Sequence, residues 1–484
     1  MTTTKKPRRH GPDNGPARPA PAGMATGGAR RLADWLAALA PADIPDAVNH
    51  VALRCLVDTL GVMLAGAATP VAGMARRVAA LNAADGGAAV AGASGRYAAP
   101  SAAFANGVAA HALDFDDNCY AGFVHGSAVI VPAALAVAQA RHAGGEALLT
   151  ALVAGAECQY RVGMALGRAL YDRGWWTTGL LGAIGACAAT AKLLALDTGA
   201  TGHALGLAIA GSGGMKCVFG SDAKPLLAGR AAESGVMAAL LAEQGAGGPA
   251  NALEHDYGLA ALTNDGVFDA GWLTPAQGRW CLLSPGVDVK RIPVCLSSHA
   301  AVDGVLELVA RHGLHPGQIA GIACDVPPVV AANLIYPFPR TAREGQFSLP
   351  FAIAASLAFG ELTLDHLDDR LMTDNALVDL MGRVSMTSGA RWADPALLAD
   401  APEGADVTIT LRDGATLRCF VAKAAGSAAR PLDDRALGDK FLRCAARGPA
   451  PGQAGQLLAT LWRLRALSDV HSLILDDPTP KEYG

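Results

Sequence analysis

The chain has 484 residues, 17% of them charged and 51% hydrophobic, with a net charge of −4. That length exceeds one ordinary core and predicts two or three domains, while a pI near 6.3 excludes a general attraction to nucleic acid. Mean hydropathy is +0.28, apolar for a water-soluble chain, but the longest apolar candidates fall short of a membrane span of about 20 unbroken residues. Residues 126–138 contain Pro132, and 175–191 are flanked by Arg173 and Lys192. The excess is mostly Ala and Gly, with aromatics at only 5%. Such a composition suits helices that approach closely.

Residues 1–30 read as a disordered extension rich in Pro and Gly, with seven Lys/Arg against one Asp through position 31. Arg8-Arg9 and Arg30-Arg31 are not followed by an apolar run, so neither reads as an export signal. Met24 reads as the true start. The ten cysteines include no Cys-x-x-Cys pair, which argues against a zinc or iron–sulfur site and fits packed, reduced thiols of a cytoplasmic protein.

From 31 to 285 the apolar residues recur at three-and-four spacing, predicting an all-helical domain. Gly179, Gly182 and Gly185 follow no strand, so they predict close helix packing and not a phosphate loop. Texture changes near Leu283. Residues 287–295, 319–327 and the hairpin 407–422, with Asp413-Gly414 at its turn, read as strands, and helices are expected at 299–312 and 348–359. The segment 286–425 is therefore expected to be an α+β lid domain, after which 426–475 returns to the helical domain and 476–484 forms a tail. The fold class is mainly α with an α+β insertion.

Three stretches carry chemistry. In NGVAAHALDFDDNCYAGFVHGSAVIVP (106–132), Asp114, Asp116 and Asp117 lie beside Asn118 at a helix mouth, with His125 just before a second apolar helix. Unpaired buried charges cost several kcal/mol, so the stretch reads as one wall of an active site. A calcium loop from Asp114 would need Gly at 119 and Glu at 125, where the chain has Cys and His; Mg²⁺ through Asp114 and Asp117 stays open. In GSDAKPLLAGRAAESG, Lys224 is placed in a loop between two helices and Arg230 at the start of the second, either an anion pocket or two solvated cations. In KRIPVCLSSHAAVD, Lys290 and Arg291 precede Ser297, Ser298 and His299, where the serines would cap a helix and His299 would either touch an anion or serve as a surface cap.

No dinucleotide fingerprint, Walker loop, nucleophile elbow or His-Glu-x-x-His is present. Acid–base chemistry on an anionic substrate remains. His125 is the natural proton carrier, the four cations can stabilise an enolate-like charge, and Asp114 would orient His125 or hold a hydroxyl. Lys290 could serve as base only with its pKa depressed by about three units.

Together, HALDFDDN…HGSAVIVPAALA, GSDAKPLLAGRAAESG, KRIPVCLSSHAAVD and EGQFSLPFAIAASL resemble the MmgE/PrpD family, from about Leu32 to Leu467. The resemblance implies a helical domain with an inserted lid, the active site between them, a homodimer, and no metal or organic cofactor. It places the family's motif Asp on Asp114, its motif His on His125 and its two lysines on Lys224 and Lys290. Asn118 stands where Thr is usual, while Trp176, Leu227 and Cys295 stand where relatives carry His; the loop before His125 is one residue longer. The reading that follows is a lyase of the 2-methylcitrate dehydratase type acting on a small di- or tricarboxylic acid. Catalysis falls to His125, Lys290, Asp114 and Lys224, and substrate binding to Asn118, Arg230, Ser298 and His299. The alternative is an epimerase of a dicarboxylate such as iminodisuccinate by two-base proton exchange; a decarboxylase or a non-catalytic carboxylate-binding protein stands behind both. No nucleic acid or membrane partner is expected.

Overall fold

A computed structural model describes residues 27–81, 86–274 and 278–473. The extension before residue 27 and the tail lie outside the described residues. Ten helices lead the chain: α1 (Gly28–Ala38), α2 (Asp46–Gly66), α3 (Pro70–Leu81), α4 (Ala99–His111), α5 (Ser127–Ala140), α6 (Gly145–Leu166), α7 (Ala169–Asp172), α8 (Thr177–Leu193), α9 (Thr198–Ala210) and α10 (Ala223–Glu243). The first of them opens at Gly28, within the stretch expected to be an extension, and buries Ala29, Leu32, Ala33 and Leu36.

Small side chains set the packing. α10 lies against both α8 and α4, and a Cβ built on Gly107 of α4 would stand 2.9 Å from the Gly229 Cα of α10. Two helix backbones touch there, and only hydrogen at both positions lets them do so. Gly182 likewise faces Val129 and Ala231, which is the helix packing expected of that glycine series. α2 is the one described helix long and apolar enough to cross a membrane, and 67% of its apolar window is buried inside the protein. It packs on α4 and on Asp434–Ala445, a helix from the far end of the chain. One apolar cluster accordingly runs from Ala29 through α2, α5, α6 and α8 to Leu437, Phe441 and Leu464.

A second cluster, drawn mainly from Ile292 to Val421, surrounds a four-stranded sheet. Strands β1 (Ile319–Asp325), β2 (Val384–Thr387), β3 (Ala405–Leu411) and β4 (Thr416–Val421) lie in the order β2-β1-β3-β4. β1 and β2 are parallel; the other pairs are antiparallel. β3 and β4 are the hairpin expected from Asp413-Gly414, whose Gly414 takes φ +89°. Helices His299–His312 and Leu349–Phe359 cover this sheet unit.

The stretch 287–295 is not a strand. Its backbone groups go to scattered partners, Asp288 to Asn118 and Val289 to Gly426, and Pro293 has no N–H to give a ladder. The apolar spelling instead reflects a crossing between the two cores. All ten cysteines are free thiols, and most are buried.

Candidate active site

α4 ends at His111, and the next residues turn sharply, with Asp114 at φ +49°. Asp is among the few residues that tolerate this left-handed conformation. The turn lets both the carboxylate and the carbonyl of Asp114 meet one cation: Lys290 Nζ lies 3.0 Å from Oδ2 and also donates to the Asp114 carbonyl. Lys224 donates to Oδ1 of the same carboxylate. Lys290 is completely buried, and Lys224 and Asp114 are about 5% exposed. Burial by itself would raise the Asp114 pKa, yet Lys224 and Lys290 override it and hold the carboxyl far below its usual range. Burial would likewise lower the Lys290 pKa, but Asp114 and Asp116 carry it above its ordinary value. Lys290 is therefore an ammonium.

Asp116 faces the other way. Its Oδ2 lies 2.8 Å from His111 Nδ1 and 3.2 Å from His125 Nδ1. The His125 Nδ1 also lies 2.9 Å from the Asp117 carbonyl oxygen, which can only accept. The ring proton of His125 consequently sits on Nδ1, and Nε2 is the nitrogen left toward the cleft, which His125 lines. His111 is fully enclosed, packed against Trp176 with ring centroids 5.4 Å apart. Burial drives its pKa down to about 4 against the pull of Asp116. It is a neutral donor that fixes Asp116, while Asp116 itself stays ionised because His111 and His125 outweigh its burial.

The loop before His125 closes through paired backbone bonds between Cys119 and Val124 (2.8 and 3.0 Å). Gly122, at φ +94°, would bring a Cβ within 2.9 Å of the Gly163 Cα, so this turn is pressed against α6. The His125 N–H then donates to Thr178 on α8 at 3.0 Å. Asn118, whose backbone is bound both ways to Asp288, lies on the same wall.

The cleft and its open mouth together span about 470 Å³. Its polar lining is Asp114, Asn118, His125, Lys224, Lys290, Asn333 and Glu403, and its rings are Phe123, Tyr171, Trp176, Phe219 and Phe347. The structure thus brings together Asp114, Asn118, His125, Lys224 and Lys290. Three other expected residues are elsewhere. Arg230 is exposed and paired with Glu233 on the outer face of α10; Lys224 and Arg230 share that one helix and do not flank a loop, so the pair does not converge. Ser298 donates to the Cys295 carbonyl and does not cap the following helix through its side chain. His299 donates from Nε2 to the Val294 carbonyl at 3.2 Å, and burial with Lys290 and Arg291 nearby keeps its ring neutral. Ser298 and His299 support the wall from behind. Arg291 is committed to Asp303.

Asp114 does not orient His125; Asp116 and the Asp117 carbonyl do. His111, Tyr171, Asn333, Phe347 and Glu403 were missed by the sequence reading. His111 stands one helical turn before Asp114, a spacing that marks it as a neighbour, whereas nothing local distinguishes Glu403. One donor atom each from His111, Asp114, Asp116 and His125 falls within 4.8 Å of the rest. That geometry would attract a metal ion, but two ammonium groups already sit on Asp114, and a dication beside them would meet strong repulsion. Asp117 points away, toward Ser127.

The family models agree with this architecture. The MmgE/PrpD N-terminal domain matches residues 30–269, and the MmgE/PrpD C-terminal domain matches 292–464. The chain belongs to the MmgE/PrpD family. Among its relatives are the cis-aconitate decarboxylase of Homo sapiens, 28% identical over 460 residues covering 91% of this chain and 93% of that protein. The cis-aconitate decarboxylase-like protein oryM of Aspergillus oryzae is 26% identical over 470 residues, covering 92% and 95%. The MmgE/PrpD chain described here therefore belongs among enzymes whose named relatives catalyse a lyase-type reaction.

Asp117, buried behind the site, offers a test of the site's electrostatics. Burial and the charges of Asp58 and Asp116 push its pKa up to about 7. A folded pKa above the unfolded value of about 3.9 means that stability is complete below pH 4 and falls as pH rises through 7. Asp117→Asn escapes that fall. Its stability relative to the parent is expected to improve by up to about 4 kcal/mol between about pH 4 and about pH 8, read by denaturant unfolding. A gap independent of pH would count against the buried neutral carboxyl.

Proposed function

We propose that the chain is a cofactor-free hydro-lyase of the 2-methylcitrate dehydratase type, removing a proton next to a carboxylate of a small acid. The observation that carries this reading is the His125 ring, whose Nδ1 faces the Asp117 carbonyl at 2.9 Å and Asp116 at 3.2 Å. Nε2 is left as a base aimed at the cleft, and Asp116 stabilises the imidazolium that forms. General base catalysis of this kind contributes about 10²- to 10⁴-fold.

The substrate carboxylate sits against Lys224 and Lys290. As Nε2 takes the proton, the new electron pair spreads onto that carboxylate, where each ammonium contributes about 3 kcal/mol of stabilisation. The carbon–oxygen bond of the neighbouring hydroxyl then breaks, and a lysine ammonium supplies the proton that releases it as water. His125 returns its proton to the lysine through solvent, which restores both groups. Two-base epimerisation needs a deprotonated Lys290, and the charge of Asp114 opposes that. Decarboxylation is the lesser reading, because Cys295 occupies the position where the resemblance places a decarboxylase-type histidine, and burial pushes its thiol up to about 11. The sheet unit acts as a lid, and the working form is a homodimer.

A panel of small hydroxy acids, followed by alkene absorbance and by proton NMR in D₂O, tests this. Alkene formation supports the proposal. Deuterium entry or inversion without alkene would move the assignment to an epimerase, and carbon dioxide release would move it to a decarboxylase.

A further inference from the structure

Glu403, from the loop before β3, is a second anion on the cleft wall. A continuous chain of hydrogen bonds runs into it. Tyr171 donates to Asn333 Oδ1 at 2.9 Å, and Asn333 Nδ2 donates to Ser297 Oγ at 3.1 Å. Ser297 in turn donates to Glu403 Oε1, and Tyr120 donates to Oε2 at 2.7 Å. Every hydroxyl in this chain is spent on the next member, so the Glu403 carboxylate keeps acceptor sites for a ligand and meets no hydroxyl donor beyond Ser297 and Tyr120. Each carboxylate oxygen of Glu403 has a second lone pair to offer.

Charge points the same way. The Lys224 and Lys290 ammonium groups, which both touch Asp114, are the cations lining the cleft, and one substrate carboxylate can share them. Lys216 sits 3.7 Å from the Tyr171 ring centroid and Lys423 6.0 Å from that of Tyr120, and neither lines the cleft. A second carboxylate at Glu403 would meet a like charge. The remaining walls are the rings of Phe123, Trp176, Phe219 and Phe347, in a chain only 5% aromatic.

We infer that Glu403 determines substrate choice: the acid carries one carboxylate at the lysines and a hydrogen-bond donor, hydroxyl or amine, at Glu403, and a second carboxylate is excluded there. This rests on the carboxylate-binding reading above and departs from the di- or tricarboxylate expectation for any acid whose second carboxylate would lie at Glu403. The step involves recognition only, so nothing need be transferred.

Calorimetric titration of the full chain with succinate, 4-hydroxybutanoate and 4-aminobutanoate tests it. These share a four-carbon frame, and none can undergo the elimination, so binding alone is read. The hydroxy or the amino acid is expected to bind at least about tenfold more tightly than succinate, and which of them wins identifies the donor. Glu403→Gln is expected to narrow the gap by raising succinate affinity about tenfold, and Lys224→Ala to abolish binding of all three. Succinate binding most tightly to the unaltered protein would overturn the Glu403 assignment while leaving the carboxylate reading intact, provided Lys224→Ala still abolishes it. The comparison within the parent chain needs no variant to fold. Binding of none of the three, or binding indifferent to Lys224→Ala, would overturn both.

Discussion

Replacing His125 by alanine is expected to lower kcat by about a thousandfold to ten-thousandfold while leaving KM within a few-fold of the parent. The ring lies at the cleft with Nε2 as its only unengaged nitrogen, so its loss removes the proton acceptor and little of the binding surface. Asp116→Asn is the more discriminating variant. Its side chain keeps the shape but loses the charge that favours an imidazolium, and its amide can turn an N–H toward His125 Nδ1. A loss of about a hundredfold or more in kcat, again with KM little changed, is expected from a wrongly held ring. Steady-state kinetics on the substrate found by the hydroxy-acid panel provides the check. A KM effect larger than the kcat effect would place His125 in binding instead.

The second large effect falls on Asp114. It is the carboxylate that two buried ammonium groups both touch, one of them with no solvent exposure. Asp114→Asn leaves those groups facing each other and is expected to cost about 3–5 kcal/mol of stability, because removing one partner leaves buried charge uncompensated. The sign with pH follows from the depressed carboxyl pKa. The stabilisation is present above the unfolded value of about 3.9 and is lost as pH falls toward the folded one, so parent and variant should converge in acid. Combining Asp114→Asn with Lys290→Met should restore much of the stability and none of the activity, since the pair is coupled. Urea unfolding of the four proteins measures the coupling. Additive losses would mean that the ion cluster is not a unit.

Local patterns were enough for much of this fold. Apolar spacing marks the helices through Glu243, and Asp413-Gly414 marks the hairpin of β3 and β4, because helix periodicity and turn chemistry are written within a few residues. The stretch 287–295 misled for the same reason. Its alternation comes from crossing between two cores, and only the scattered partners of Asp288 and Val289 reveal that no ladder forms. At the site, His125, Asp114, Lys224 and Lys290 could be named from type and family likeness. Their division of labour could not. Three acids within four positions look interchangeable in sequence, yet Asp114 faces two lysines, Asp116 two histidines, and Asp117 offers only its carbonyl to His125. Arg230 looked equivalent to Lys224, but six residues along one helix turn it to the outer face. Glu403 is brought to the cleft by a loop nearly 280 residues beyond His125, and no local signal encodes that meeting.

The central claim is that His125 holds its proton on Nδ1 and presents an unprotonated Nε2 to the cleft. Long-range proton–nitrogen NMR of histidine-labelled protein reads this directly, with the signals assigned by their loss in His125→Ala. At a pH where the ring is neutral, His125 is predicted to show a protonated Nδ1 and an unprotonated Nε2, and Asp116→Asn should disturb that pattern. A neutral ring carrying its proton on Nε2 would contradict the account.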